Sequence, residues 1–375
     1  MKPKLLFLVT EDWYFVSHRL PLACAAKAAG YDVVVVTQVT EHGDEIINAG
    51  LKLEPIKFSR SHGKPWQDFM TIISIFRIYK NYKPDLVHHV SIKPVIYGSV
   101  AALFSRVPVV INALTGLGFI FSSTQVKAKL LRIFIKPLLR ILLARKNSWL
   151  IIQNPDDQNT LKKTGIINNE RVALIRGSGV DSEKFCLVDK KTIGSPIIIL
   201  AARMLWDKGV GEFVEAAKIL KASDRDARFV LVGDSDSENP ACISRQTLLG
   251  WQSSGIIEWW GPCDNMPEVL GNSTIVCLPS YREGLPKVLI EAAACGKAIV
   301  TTDAPGCREI VQHGVNGFLV PIKDASALAD AIEKILGNKS LREEMGKKGR
   351  EIVEKEFTVS KVNNETLELY QRALK

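Results

Sequence analysis

The sequence predicts an α/β protein of two doubly wound, Rossmann-like domains facing a central cleft, on three observations. Short strands of Val, Ile and Leu alternate with helical stretches along the whole chain. The alternation stops in a polar stretch near 180–195 and then begins again. The length of 375 residues exceeds what one ordinary core accommodates, and an apolar content of 46% supplies a core to each half.

In the first half, "LLFLVT" (5–10) precedes a helical "SHRLPLACAAKAAG" (17–30), followed by "DVVVVT" (32–37), "DLVHHV" (85–90), "PVVINA" (108–113) and "WLIIQN" (149–154). The second series is "PIIILAAR" (196–203), "RFVLVGD" (228–234), "IIEWWG" (256–261), "TIVCLPS" (274–280), "KAIVTT" (297–302) and "GFLVP" (317–321). Near-continuous apolar runs mark parallel strands buried on both faces. Strand and helix in turn make right-handed βαβ units. The domains are therefore read as 1–185 and 186–357, with a periodic terminal helix, 358–375, returning to the first. In such sheets ligands bind beyond the carboxyl ends of the strands.

Composition narrows the function. The seven cysteines form no C-x-x-C pair and no His/Cys cluster, which favours buried thiols in a reducing compartment over a zinc site. The apolar run after Lys4 stops at Glu11 and Asp12, so it is read as a first strand and not as a signal peptide. No stretch approaches the roughly 20 apolar residues that span a bilayer. The net charge of +9 favours nucleotide phosphates or an anionic membrane surface, and none of the nucleic-acid signatures is present.

The most informative stretch is "PSYREGLPKVLIEAAACG". A strand ends near Ser280, a turn follows, and a helix opens around Pro286, a residue tolerated at the first helical position. The N–H groups of Gly284 and Leu285, with the helix dipole, then make an anion pocket suited to a diphosphate. Glu283 lies at its lip, facing a sugar hydroxyl, and Glu291 is placed to accept from both hydroxyls of a ribose. The plainer alternative makes Glu283 a solvated turn residue and Glu291 a salt-bridge partner. In "AARMLWDKGV", Arg203 ends a strand and Lys208 follows just before a helix. Two such cations can hold a diphosphate and offset the charge that grows as it leaves, although surface Lys and Arg are common. "GDSDSE" carries Asp234 and Asp236 in an Asp-x-Asp arrangement suited to a hard cation.

These segments, with "HGVNGFLVP", resemble the donor domain of retaining GT-B glycosyltransferases of family 4, whose E-x7-E signature is matched by Glu283 and Glu291. Within that family the chain is similar to bacterial enzymes extending undecaprenyl-diphosphate-linked saccharides in surface glycan or protein-glycosylation assembly. The resemblance implies a GT-B fold, a UDP-sugar donor carrying an N-acetylhexosamine, and no cofactor or metal. It places Arg203 and Lys208 on the diphosphate, Glu291 on the ribose and Glu283 at the donor sugar. It further implies front-side substitution with retention, the leaving phosphate taking the acceptor's proton. A UDP-sugar 2-epimerase of the same fold, or a non-catalytic sugar-nucleotide-binding protein, are the alternatives.

The acceptor falls to the first domain. Ser17 is read as the cap of the first helix, which puts His18 and Arg19 near an anion-friendly helix start. His18 is the candidate there for assisting catalysis. Relatives often carry a glycine pair in this loop, where Trp13 and Tyr14 stand nearby instead, and a histidine near the second loop that this chain lacks. Lys93 is placed to meet an acceptor diphosphate, and Thr115 and Gly116 to let the backbone approach the sugar. Alternatively, Arg19 is surface and His18 a packed histidine. In "VKAKLLRIFIKPLLRILLARK", Lys129, Arg132, Lys136 and Arg140 line one helical face beside Leu130, Leu131, Phe134, Leu138 and Leu142. Pro137 is expected to kink or divide that helix. A basic amphipathic segment suits an anionic bilayer surface, so the chain is expected to be cytoplasmic and peripheral on the inner face of the bacterial plasma membrane.

Overall fold

The computed structural model describes residues 2–58, 65–117, 126–167, 169–186, 194–237 and 239–375, without the side chains of 65, 126–131 and 169. The chain divides into two units, Met1–Ser178 with Val359–Lys375, and Gly179–Thr358.

The first unit runs β1 (Lys4–Glu11), α1 (Asp12–His18), α2 (Leu20–Ala28), β2 (Asp32–Gln38), α3 (Gly43–Asn48), β3 (Lys52–Pro55), α4 (Pro65–Tyr82), β4 (Leu86–Val90) and α5 (Ile92–Ser105). It continues through β5 (Val109–Leu114), α6 (Val126–Leu143), β6 (Ser148–Ile152), α7 (Pro155–Lys163) and β7 (Val172–Leu174). All strands are parallel, in the order β3-β2-β1-β4-β5-β6-β7. The central strands β4 and β5 are buried at every position, His88, His89 and Asn112 included.

Two polar clusters sit inside this core. His89 is fully buried, its Nδ1 against Asn112 Oδ1 at 2.8 Å and its Nε2 against the Tyr79 hydroxyl at 2.8 Å. Asn112 Oδ1 also accepts from Ser99, and Asn112 Nδ2 donates to Ser148. An amide oxygen cannot donate, so Nδ1 of His89 carries the proton and Nε2 accepts from Tyr79. Burial holds this imidazole down to about 4, the Asn112 bond opposing it weakly. The neighbouring His88 bonds through Nδ1 to the Tyr370 hydroxyl of the last helix. Burial, the Arg19 charge and His89 push its affinity for a proton well below the ordinary histidine range.

The second unit runs β8 (Ile197–Ala201), α8 (Val210–Ala222), β9 (Arg228–Val232), α9 (Arg245–Ser253), β10 (Glu258–Gly261), α10 (Met266–Gly271), β11 (Ile275–Leu278) and α11 (Lys287–Ala294). It closes with β12 (Ala298–Thr302), β13 (Gly317–Val320), α12 (Ala325–Leu336) and α13 (Lys339–Glu356), and α14 (Val359–Leu374) then rejoins the first unit. Its parallel sheet has the order β10-β9-β8-β11-β12-β13. Both sheets reverse direction of strand addition once, between β1 and β4 and between β8 and β11. A crevice opens at the strand ends beside such a switch point.

Four expectations are corrected. The boundary falls at Ser178/Gly179, not 185/186, because segment 179–185 is tied to the second unit: Val180 N–H donates to Phe357 O, and Arg350 donates to Ser182 O and Phe185 O. The first helix does not start at Ser17. It is broken at Arg19 into two, with Pro21 in the first turn of the second, so Ser17 lies in the last turn of α1. Pro137 does not divide its helix, which runs from Val126 to Leu143. The strands 52–55 and 172–174 had no counterpart in the sequence reading, being edge strands of only four and three residues.

Candidate active site

The second unit builds its site where β8 and β11 part. The chain leaves β8 through Arg203, makes one 3-10 turn at Trp206–Lys208, and enters α8 through Gly209 at φ 73°. A Cβ on Gly209 would lie 2.1 Å from Pro279 O, so only glycine lets this segment close on the end of β11. The two loops are then stitched together: Tyr281 N–H donates to Asp207 O at 3.0 Å and Ser280 Oγ to the same oxygen at 3.2 Å. The stitching delivers Lys208 to Glu283, Nζ to Oε1 at 2.5 Å, with side chains only 18% and 13% exposed. Glu283 is fixed from behind by its N–H on Pro305 O, where Gly306 packs so tightly that a Cβ would sit 2.7 Å from both Glu283 O and Gly284 O.

Helix α11 begins at Lys287 with Pro286 as its cap and ends before Gly296 at φ 66°. Gly284 and Leu285 form the turn that feeds it. Glu291 is buried in its second turn, paired with Lys287 Nζ at 3.3 Å. Burial raises its pKa, against the pull of Lys287 and Lys184. A carboxylate so placed is stabilised by any further hydroxyl donors that reach it.

Arg203 is half exposed and donates from Nη1 to Asp236 Oδ2 at 3.0 Å. Asp234 accepts from Ser235 N–H and lies 3.9 Å from Arg245. The Asp-x-Asp pair is thus engaged with arginines and backbone. Neither Lys287 nor Asp236 was read from the sequence as an ion-pair partner in this site. Lys287 was legible, standing four residues before Glu291 on one helix. Asp236 was seen only as a metal candidate, because its adjacency to Arg203 exists only once β8 and β9 lie side by side.

In the first unit the acceptor candidates occupy the corresponding strand ends. Ser91 Oγ and Thr115 Oγ1 lie 3.3 Å apart across the ends of β4 and β5, with Lys93 in the first turn of α5 and Gly116 at φ 132°. His18 ends α1, stacked on Tyr14 with ring centroids 4.2 Å apart, and its Nδ1 meets Ser17 Oγ. Arg19 departs from expectation, being 4% exposed and turned towards His88 and Tyr370. Asp12, unmarked in the sequence reading, is fully buried and accepts from Thr40 N–H and Oγ1 and from His42 N–H. Burial favours its neutral form, but these bonds outweigh that and hold its carboxyl below the ordinary range.

On α6, Lys136 and Arg140 are exposed and Arg132 half-buried, while the side chain of Lys129, like those of Leu130 and Leu131, lies outside the described residues. Leu142, expected at the surface, is core with Leu139, and Leu138 is half-buried. The exposed apolar ridge is instead Ile133, Phe134 and Ile141, beside the cations. Among the described residues no helix is long and apolar enough to cross a membrane.

Comparison with known proteins agrees with this geometry. Residues 188–352 match the family "Glycosyl transferases group 1" and residues 4–154 match "Glycosyl transferase 4-like". The chain is 30% identical, over 95% of both chains, to an N,N'-diacetylbacillosaminyl-diphospho-undecaprenol alpha-1,3-N-acetylgalactosaminyltransferase of Campylobacter jejuni. It is 28% identical to a UDP-Gal:alpha-D-GlcNAc-diphosphoundecaprenol alpha-1,3-galactosyltransferase of Escherichia coli, over 81% of this chain and 79% of that one. Anabaena HepE, solved with UDP and glucose, superimposes with a TM-score of 0.78 over 99% of this chain and all of its own, at 17% identity. The chain belongs to the group 1, family 4-like glycosyltransferases and has their GT-B fold of two parallel-sheet, Rossmann-like domains.

Proposed function

We propose that this protein moves an N-acetylhexosamine from a UDP-sugar to a saccharide carried on undecaprenyl diphosphate, with retention of configuration. One observation supports the donor half of this reading: Lys208 pairs with Glu283 across the segments that follow β8 and β11, and Arg203 and Glu291 lie on those same two segments beside the switch point. The names of the Campylobacter and Escherichia relatives support the lipid-linked acceptor.

Arg203 and Lys208 offset the charge that grows on the diphosphate as the glycosidic C–O bond lengthens. Glu291 accepts from the ribose hydroxyls, which stabilises its buried carboxylate, and Glu283 faces a hydroxyl of the donor sugar. The departing phosphate oxygen takes the proton of the acceptor hydroxyl. The new C–O bond therefore forms on the face from which the old one breaks, and no protein nucleophile takes part. Positive charge comes from the two side chains, so the reading assigns no metal. His18, Lys93, Thr115 and Gly116 are the acceptor-side residues. The α6 cations and their apolar ridge hold the enzyme on the anionic inner face of the membrane.

The test is a panel of UDP-sugars with an undecaprenyl-diphosphate-linked saccharide, scored by UDP release and product mass. UDP should appear only with acceptor present, and the product should be heavier by one N-acetylhexosamine. Conversion of the UDP-sugar without acceptor would replace this reading with epimerisation, and binding without turnover would replace it with a regulatory role.

A further inference from the structure

We infer that Asp236 is a positioning residue for the donor site, holding the guanidinium of Arg203 in its working orientation. The inference rests on the donor reading above and adds to it a residue that touches neither sugar nor nucleotide.

Arg203 needs such a hold, because a half-exposed arginine at a strand end has many rotamers and loses that freedom when it grips a ligand. Asp236 is well placed to remove the freedom beforehand. It stands on the loop after β9, and that loop is zipped to the arginine's own segment. Met204 N–H donates to Asp234 O at 3.0 Å, Ile243 N–H to Met204 O at 2.9 Å, and Trp206 N–H to Ala241 O at 2.9 Å. Leu205 and Cys242 pair as an antiparallel bridge between these bonds. Ser235 Oγ closes the loop on Ile243 O at 2.8 Å. At the root of the loop, Gly233 lies so close that a Cβ would sit 1.9 Å from Ala202 O. The segment carrying the carboxylate and the segment carrying the guanidinium are therefore hydrogen-bonded to each other on either side of Leu205.

The contact is also one-sided. Asp236 takes Nη1 alone, and among the described residues no second side chain takes the rest of the fork. A guanidinium has five N–H donors, so one edge can be held while the other meets a phosphate. Such an arrangement fixes the arginine without consuming it.

The competing physical effect is charge, since a carboxylate near a diphosphate repels it. Two substitutions separate the effects: Asp236→Asn and Asp236→Ala both remove the charge, but only Asn keeps an oxygen for Nη1. UDP affinity is measured by calorimetry on the full chain, with thermal melts confirming that both variants fold. Asp236→Ala should bind UDP roughly three- to tenfold more weakly than Asp236→Asn, and in turnover the difference should appear in kcat as well as in KM for the UDP-sugar, because Arg203 also offsets the charge that grows on the leaving diphosphate. In an Arg203→Ala background the two variants should bind alike. Equal affinity of the two in the presence of Arg203, or tighter binding by the alanine variant, would overturn the inference while leaving the donor site intact. If Arg203→Ala alone leaves UDP affinity unchanged, the donor reading itself fails.

Discussion

Both sheets reverse at equivalent points, β1/β4 in the first unit and β8/β11 in the second, yet the two units treat charge there in opposite ways. The second unit keeps its cations near solvent and pairs each with a carboxylate: Lys208 with Glu283, Arg203 with Asp236, Lys287 with Glu291. The first unit takes the arginine that follows β1 into its core, where Arg19 faces His88 and Tyr370. Strand order locates a crevice in each case. Burial then decides which charged side chains can serve a ligand and which serve the fold.

The comparison breaks most readily at its strongest pair. Lys208→Ala should lower kcat/KM for transfer by roughly a hundred- to a thousandfold, with folding intact, whereas Lys93→Ala in the first unit should cost much less. Equal losses would mean that the two strand ends share the chemistry. Next, reversing Arg132, Lys136 and Arg140 to Glu should weaken binding to anionic vesicles by at least about a hundredfold, each lost cation removing on the order of 1 kcal/mol and each new carboxylate adding repulsion. Vesicle binding that does not change would make this face merely solvated. Arg19→Ala should act on stability in place of the donor site, costing about 2 kcal/mol in denaturant unfolding and leaving UDP affinity as it was.

A further effect concerns pH and has opposite signs in the two units. His88 and His89 are held neutral by burial, so between about pH 6.5 and 4 the unfolded chain binds protons that the folded first unit does not. Its stability should fall as pH falls through that window, by up to about 1.4 kcal/mol per pH unit for each histidine. Glu291 is shifted the other way, binding a proton in the folded second unit above the ordinary carboxylate range. Its contribution to stability should therefore rise as pH falls towards 4.5. Hydrogen exchange that resolves the units between pH 7 and 4.5 would show loss in the first, and Glu291→Gln would remove the opposing trend in the second.

The strands buried on both faces were readable because Val, Ile and Leu dominate them, while His88, His89 and Asn112 are tolerated there only as hydrogen-bonded members of the core. "KLEP" and "VAL" were not, since the first is mostly polar and the second, though apolar, is only three residues long, and both owe their place at an edge to the neighbouring strand. The break at Arg19 was announced by Pro21 but masked by the more conspicuous Ser17. In the site, Arg203, Lys208, Glu283 and Glu291 were legible because each stands at a fixed place beside a strand end or helix start. Asp236 and the Tyr79–His89–Asn112 chain were not, because their partners come from other strands and helices.

One feature of the chain path bears on how the protein is made. Helix α14, whose Val362, Leu369 and Tyr370 line the core of the first unit, is synthesised only after the whole of Gly179–Thr358. Domains emerging from the ribosome usually mature in sequence order, but here the first unit waits with one wall missing while the second, an uninterrupted stretch, can finish. Nascent chains paused before Val359 should therefore present an open greasy groove to chaperones, and it is the arrival of Tyr370 at His88 that closes it.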